Sequence, residues 1–394
     1  MRCDPLPRPI AFGGRGDALA PVSKLGVCRR TLVSWRVAAE CHGCGASAPV
    51  VGKVRLSLAT LRMEFRRHLL TAEMLDPGTE RLVRTPIEVR IDPLTGHSSR
   101  ILPERGLMPA NDFDLAAFAR ESQPRCPFCP ARIDSVTPKL PAAIHPDGRI
   151  ARGEALQFAN LHAYSSHSCV SVYSPRLHYL PLEDMTERLV ADNVLTQVAH
   201  AEAVIAADPE ARWASINANH MLPSGSSLFH PHLQGIVDPQ PTTLQRMLAE
   251  VPAERFEAYL QTERRAGERY LGDTGRVEWL VSFAPIAPAE LRAFIRGISS
   301  PVELDEDLVF ELARGLVLAL NAYAEMGFES FNLAVYGAPP GIAGYPLNLR
   351  VACRSNLSAF YRSDSTFLER LHWEGAIDLP PETVAERIGG RFRA

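Results

Sequence analysis

The residues best equipped for chemistry lie in the segment Phe229-His230-Pro231-His232-Leu233-Gln234. In a strand, side chains two apart share a face, so His230, His232 and Gln234 are expected to project together. Three polar side chains on one strand face rarely line a core, because each needs a buried partner. Pro231 removes a ladder donor, which places the strand at an edge or at its own start. Imidazole is nucleophilic at neutral pH, and the phosphoramidate it forms remains a good phosphoryl donor. The neutral amide of Gln234 can hydrogen-bond phosphoryl oxygens without competing as an acid or base. Just upstream, Gly225-Ser226-Ser227 forms a loop able to offer backbone N–H groups to a phosphate. The chemistry implied is transfer at phosphorus, with His232 as the nucleophile.

A second group of reactive residues stands earlier, in Arg125-Cys126-Pro127-Phe128-Cys129-Pro130. The eight cysteines are spread over the whole chain, which is not the pattern of a dense disulfide framework. A Cys-x-x-Cys pair in such a chain points to metal or redox chemistry. Cys41-His42-Gly43-Cys44 reads as half a zinc knuckle by the same reasoning. Three or four thiolate and imidazole ligands suit tetrahedral zinc.

These two segments resemble the galactose-1-phosphate uridylyltransferase branch of the histidine-triad superfamily, whose signature is His-Pro-His-x-Gln. The resemblance covers residues 82–394 and is strongest over 125–237. It implies that His232 attacks the α-phosphate of a nucleotide-sugar and carries the nucleotidyl group. It further implies that Gln234 and Ser227 contact the phosphate, and that Asn219, Gly225 and Ser226 belong to the nucleotide site. Phe158-Ala159-Asn160 is similar to the family segment whose aromatic and asparagine cradle base and ribose. The resemblance implies a structural zinc held by Cys126, Cys129, His178 and His230, with His167 as the substitute for His178. Hydrolytic members carry a third histidine where Gln234 stands, so the resemblance favours transfer over hydrolysis. Met221 replaces a glycine expected in the phosphate loop. The second half reads Tyr345-Pro346-Leu347-Asn348-Leu349-Arg350, without histidine, so it is expected to hold the acceptor, through Arg350 and Arg354, rather than a second catalytic centre. Family members are often dimers, so the resemblance admits a homodimer.

The elements that must position these groups are read from periodicity. The segment Met63–Arg67 is expected to open the first helix. Ile87, Val89 and Ile91 alternate with polar residues in a strand, followed by a turn at Asp92-Pro93-Leu94-Thr95-Gly96. Strands are expected at 155–161, 169–173, 213–217, 230–237, 277–285, 331–336 and 347–353. Apolar spacing places helices at 182–207, 241–270 and 305–326. The order helix–strand–loop–strand therefore occurs twice, at 184–237 and 305–353. An internally duplicated α+β fold follows, with two histidine-triad-like halves (63–240 catalytic, 241–394 degenerate), antiparallel sheets and packed helices.

Bulk properties narrow the partners. Over 394 residues the chain is 46% hydrophobic and 22% charged, with net charge −3, values of a globular protein. Residues 1–62 carry ten Lys/Arg against three acidic residues, and the remainder 32 against 42. The basic extension is expected to lie outside the fold, and a nucleic-acid role has least support because the remainder is acidic. No apolar run approaches a membrane span, and the cytoplasm is the expected compartment. Two other functions compete with transfer to a sugar phosphate. One is phosphorolysis of an ADP-sugar or dinucleoside polyphosphate with phosphate as acceptor. The other is nucleotide binding by a zinc-stabilised protein without turnover.

Overall fold

The computed structural model describes residues 63–102, 113–358 and 363–393. All described residues belong to one compact unit, within 57–394. The basic extension and its Cys41-x-x-Cys44 pair lie outside the described residues.

The described residues form fourteen strands. In chain order they are β1 (Arg67–Leu75), β2 (Leu82–Ile91), β3 (Ser98–Ile101), β4 (Ile150–Arg152), β5 (Ala155–Ala159), β6 (His167–Val172) and β7 (Trp213–His220). There follow β8 (His232–Asp238), β9 (Tyr270–Thr274), β10 (Val277–Val281), β11 (Leu291–Ile295), β12 (Ser330–Tyr336), β13 (Leu347–Arg354) and β14 (Gly375–Ile377). The helices are α1 (Leu115–Ser122), α2 (Ile133–Val136), α3 (Glu187–Ala207), α4 (Thr243–Ala249), α5 (Ala253–Ala266), α6 (Glu306–Glu325) and α7 (Pro381–Arg393). Among the described residues no helix is long and apolar enough to cross a membrane.

Ten strands form one antiparallel sheet in the order β4-β5-β6-β8-β7-β12-β13-β11-β10-β9. The pair β7/β8 of the first half meets the pair β12/β13 of the second through β7 and β12, in register at Ala334 and Asn217. The long helices α3 and α6 cover one face. Thr186 and Asp305 cap their N-termini, accepting from the amides of Leu189 and Leu308. Their apolar stripes bury Val190, Val194 and Val198 with Leu308, Leu312 and Leu316 against Ile216, Leu233, Leu333 and Leu349 of the sheet. The class is α+β with antiparallel sheets and packed helices.

The opposite face is covered at both ends and open between them. At one end, Phe128 and Ile133 pack on Phe158, Val170 and Val172. At the other, Met63, Leu94, Phe256 and Tyr259 pack on Leu280 and Phe294. That second cover includes a four-stranded sheet, β1-β2-β3-β14, in which only β14 and β3 run parallel among the described strands.

Three expectations need correction. The first regular element is not a helix from Met63. Residues 63–66 are irregular and β1 follows, paired over nine residues with β2. Its Leu, Ala, Glu and Met favour helix in isolation, and cross-strand pairing overrides that preference. The region 241–270 is two helices and the start of a strand, divided at Pro252. His230 does not belong to β8, which begins at His232 because Pro231 cannot continue the ladder. Strand β11 and helix α7 were not anticipated.

Candidate active site

Strand β8 aims its first residue by alternation. Leu233, Gly235 and Val237 face α3, and His232, Gln234 and Ile236 take the open side. Gly235 permits the close approach, since a Cβ there would lie 2.1 Å from Gln197 Oε1 and 2.7 Å from Cys169 Sγ. Those partners belong to a buried polar lattice in which Gln197 Nε2 donates to Ser171 Oγ at 2.7 Å and Gln157 Nε2 to Cys169 Sγ at 3.1 Å.

The His232 ring is held by its own chain, its Nδ1 lying 2.8 Å from the His230 carbonyl oxygen. A carbonyl can only accept, so Nδ1 carries the proton and Nε2 keeps its lone pair. Burial pushes the pKa of His232 down, and the His230 carbonyl opposes that shift. The ring of Phe128 stands edge-on to it at 5.4 Å.

His230 turns away from the open face. Its ring is fully buried, Nε2 donates to the Ser174 carbonyl at 3.0 Å, and Nδ1 lies 3.6 Å from Cys126 Sγ and 3.7 Å from Cys129 Sγ. His178 is held the same way, with Nε2 donating to the Ala119 carbonyl at 2.9 Å and Nδ1 3.4 Å from Cys129 Sγ. The ligand atoms of Cys126, Cys129, His178 and His230 all lie within 4.8 Å of one another. Zn–S and Zn–N bonds of ordinary length meeting at a tetrahedral angle put sulfur and nitrogen about 3.5 Å apart. Both imidazoles are locked with a lone pair facing the sulfurs, so this buried group fits a metal ion in geometry and in donor chemistry. Burial and the adjacent Cys126 push the Cys129 thiol up to about 12, a cost that a bound cation reverses. His167 stands apart, its Nε2 3.1 Å from Asp208 Oδ2.

The loop before β8 turns on a glycine. Gly225 adopts φ 98°, a left-handed conformation that suits glycine. Ser226 turns its hydroxyl inward to the Leu228 carbonyl at 2.7 Å, while Ser227 is exposed. Among the described residues the amides of Ser226 and Ser227 have no hydrogen-bond partner. Met221 sits at φ 68°, ψ 164°, a region that is nearly exclusive to glycine and costs about 1–3 kcal/mol. Its buried side chain packs on Leu115, Ala119 and Phe229, which anchors the loop to α1.

A row of register partners crosses the sheet through Gln234: Phe158, Val170, Gln234, Asn217, Ala334, Arg350 and Arg292. Cross-strand partners point to one face, so this row is the floor of the site. Asn219 faces Asn332 in the adjacent row, and Asn332 Nδ2 donates to Asn219 Oδ1 at 2.7 Å and to the Ser224 carbonyl at 3.0 Å. Phe158 is 1% exposed, its ring 5.1 Å from that of Phe128, so Phe128 rather than Phe158 presents the aromatic surface beside His232. Asn160 accepts from the His162 amide at 3.0 Å, and its buried Nδ2 has no partner among the described residues.

Arg350 is buried, with one terminal nitrogen 3.3 Å from Glu290 Oε1 and another 3.8 Å from Asp92 Oδ2. The first contact is within ion-pair distance yet poorly aligned, and among the described residues none of its three nitrogens makes a hydrogen bond. Arg354 is committed to a forked pair with Asp364, and donates to Asn332 Oδ1 at 2.7 Å. The roles of Phe128, Asn217 and Asn332 were not assigned from the sequence. Phe128 was in view inside the Cys-Pro-Phe-Cys-Pro segment, and the asparagines were visible only as polar positions in apolar strands.

The fold is shared with solved structures of an ADP-glucose phosphorylase, a GalT-like protein and a uridylyltransferase. Similar solved structures include an ADP-glucose phosphorylase from Arabidopsis thaliana with bound ADP-glucose, at 17% identity and TM-score 0.57, covering 77% of this chain and 98% of that one. A GalT-like protein from the same plant aligns at 17% identity and TM-score 0.53, covering 76% and 98%. A uridylyltransferase aligns at 19% identity and TM-score 0.51, covering 77% and 98%. An uncharacterized protein of Archaeoglobus fulgidus is 28% identical over 340 residues, 83% of this chain and 98% of that one. No protein-family model matches the sequence.

Proposed function

We propose that this chain is a nucleotidyltransferase that moves a nucleoside monophosphate from a nucleotide-sugar to a phosphorylated acceptor through His232. The observation that carries the reading is the 2.8 Å contact from His232 Nδ1 to the His230 carbonyl. It fixes the tautomer and leaves Nε2 as an oriented, unprotonated nucleophile.

In the first step Nε2 attacks the α-phosphorus. A P–N bond forms, the P–O bond to the sugar phosphate breaks, and that oxygen leaves with the electron pair. The ring keeps its Nδ1 proton, and the positive charge it acquires is shared with the His230 carbonyl. In the second step an acceptor phosphate oxygen attacks the same phosphorus, the P–N bond breaks, and its electron pair returns to Nε2. The amides of Ser226 and Ser227, the exposed Ser227 hydroxyl and the Gln234 amide face the charge developing on phosphorus, where each donor contributes about 10²–10³ in rate. Asn160 and Phe128 lie on the β5/β6 side for the nucleoside. Asn219, with Asn332, braces the phosphate loop.

Cys126, Cys129, His178 and His230 would hold a zinc ion, which would supply rigidity rather than reactivity. By fixing His230, the group fixes the carbonyl that orients His232. A phosphorylase shares this fold, which supports a second reading with orthophosphate as the acceptor. The two-step course is tested by isotope exchange. Labelled glucose 1-phosphate is expected to enter a nucleoside diphosphate-glucose in the absence of any other acceptor. No exchange with any base, alongside net turnover, would mean direct displacement and would overturn the covalent reading.

A further inference from the structure

A side-chain amide beside a phosphate can help or hinder. Its NH₂ end donates to phosphoryl oxygens, its carbonyl end repels them, and the two ends have nearly the same shape. Asn219 is such an amide. Asn217 stands opposite Gln234 in the pairing of β7 with β8, and the same register carried two residues on brings Asn219 opposite His232 on one face. What decides the chemistry there is which end of Asn219 the fold turns toward the open side.

The answer is set across three strands. Arg354 on β13 places Nη1 2.7 Å from Asn332 Oδ1 on β12. A guanidinium has only donors, so the atom that meets it is an oxygen. The opposite end of Asn332 is then NH₂, and the groups around it are all acceptors: Asn219 Oδ1 at 2.7 Å, the Ser224 carbonyl at 3.0 Å and the Ala218 carbonyl at 3.3 Å. Asn219 Oδ1 is therefore turned to Asn332, and its Nδ2 is left without a hydrogen-bond partner among the described residues. Arg354 is held in turn by Asp364, which accepts from Nε at 2.9 Å and also from the Ser355 amide at 2.8 Å. That pair neutralises the guanidinium, so Arg354 acts through the direction of its N–H bonds rather than as a free cation for phosphate.

We propose that Arg354, acting through Asn332, is a positioning residue that holds Asn219 with its donor end toward the phosphate at His232. The inference rests on the transfer reading, and it gives the second half a part in the chemistry of the first without a histidine. Two variants reverse the direction of the hydrogen bonds. Asn332→Asp keeps the bond from Arg354 but offers Asn219 an acceptor. Arg354→Glu/Asp364→Arg keeps the ion pair but offers Asn332 an acceptor. The first adds a negative charge and the second leaves net charge unchanged, which separates direction from long-range repulsion. Arg354→Lys keeps an obligate donor.

UMP and uridine, and AMP and adenosine, are titrated calorimetrically into wild type and each variant, with melting temperature as the check on folding. Wild type is expected to bind one monophosphate more tightly than its nucleoside. Both reversed variants should lose about tenfold of that preference with nucleoside affinity unchanged, and Arg354→Lys should stay nearer wild type than either. In turnover, both reversals should lower kcat more than they raise KM. Should one reversal fail to fold, the other decides against Arg354→Lys. The titration needs no covalent step, so a wild type that forms no nucleotidyl-His232 removes the transfer reading while the titration still decides the role of Arg354. A wild type without the preference, a preference kept in both reversals, or monophosphate and nucleoside weakened alike overturns the proposal. So does a loss confined to Asn332→Asp, or an equal loss in Arg354→Lys and the charge-swapped variant.

Discussion

At the scale of single residues, the account turns on one carbonyl. His232 is oriented by the main chain of His230, and His230 is in turn clamped by Ser174 and two cysteine sulfurs. Cys126→Ser should therefore do more than lower the metal content measured by atomic absorption. It should reduce kcat more than it raises KM, because the defect lies in the orientation of the nucleophile. Wild-type kcat in a variant that retains no metal would remove this link. Gln234→Glu replaces a donor with an anion facing phosphorus, and kcat should fall by about 10²–10³. An unchanged rate would show that Gln234 does not face the reacting group.

At the scale of elements, β8 is positioned by what it lacks. Gly235→Ala places a methyl group against Gln197 and Cys169. The strand must then shift from α3, at a cost of about 1–3 kcal/mol, measurable by urea titration, with a loss of activity that exceeds the loss of folded protein. Unchanged stability would mean that α3 yields instead. The strand itself was legible in the sequence because Pro231 and the alternation after it mark its start and faces. The location of His230 off that strand was not, because periodicity carries no information about a side chain that leaves the sheet for a distant Cys-x-x-Cys. Strand β13 shows the same limit. Leu347, Leu349 and Val351 alternate with Asn348 and Arg350, the pattern of a half-exposed strand, yet seven of its eight residues are buried. The cover on its polar side is built from Asp92, Glu290 and Tyr259, contributed by distant segments whose arrival no local pattern announces.

At the scale of the whole molecule, the duplicated order of helix and strand pair was readable, and the continuous ten-stranded sheet explains it, since each half completes the other's open edge. Stability should depend on pH through buried imidazoles. Burial, with His167 adding a smaller effect, pushes His200 down to about 4. A histidine held neutral contributes stability that is full above its unfolded pKa of about 6.5 and is lost as pH falls toward the folded value, here roughly 3 kcal/mol. The stability advantage of wild type over His200→Gln should therefore shrink between about pH 7 and pH 5, as measured by denaturant unfolding. A constant difference would show that His200 does not carry this dependence.

The most direct test of the whole account is to mix the protein with UDP-glucose or ADP-glucose, quench, and map the modified peptide by mass spectrometry. The account predicts a nucleoside monophosphate on His232, labile to acid, discharged by a phosphorylated acceptor and absent from His232→Ala. A nucleotide adduct on another residue, one that persists in His232→Ala, or turnover without any adduct would contradict it.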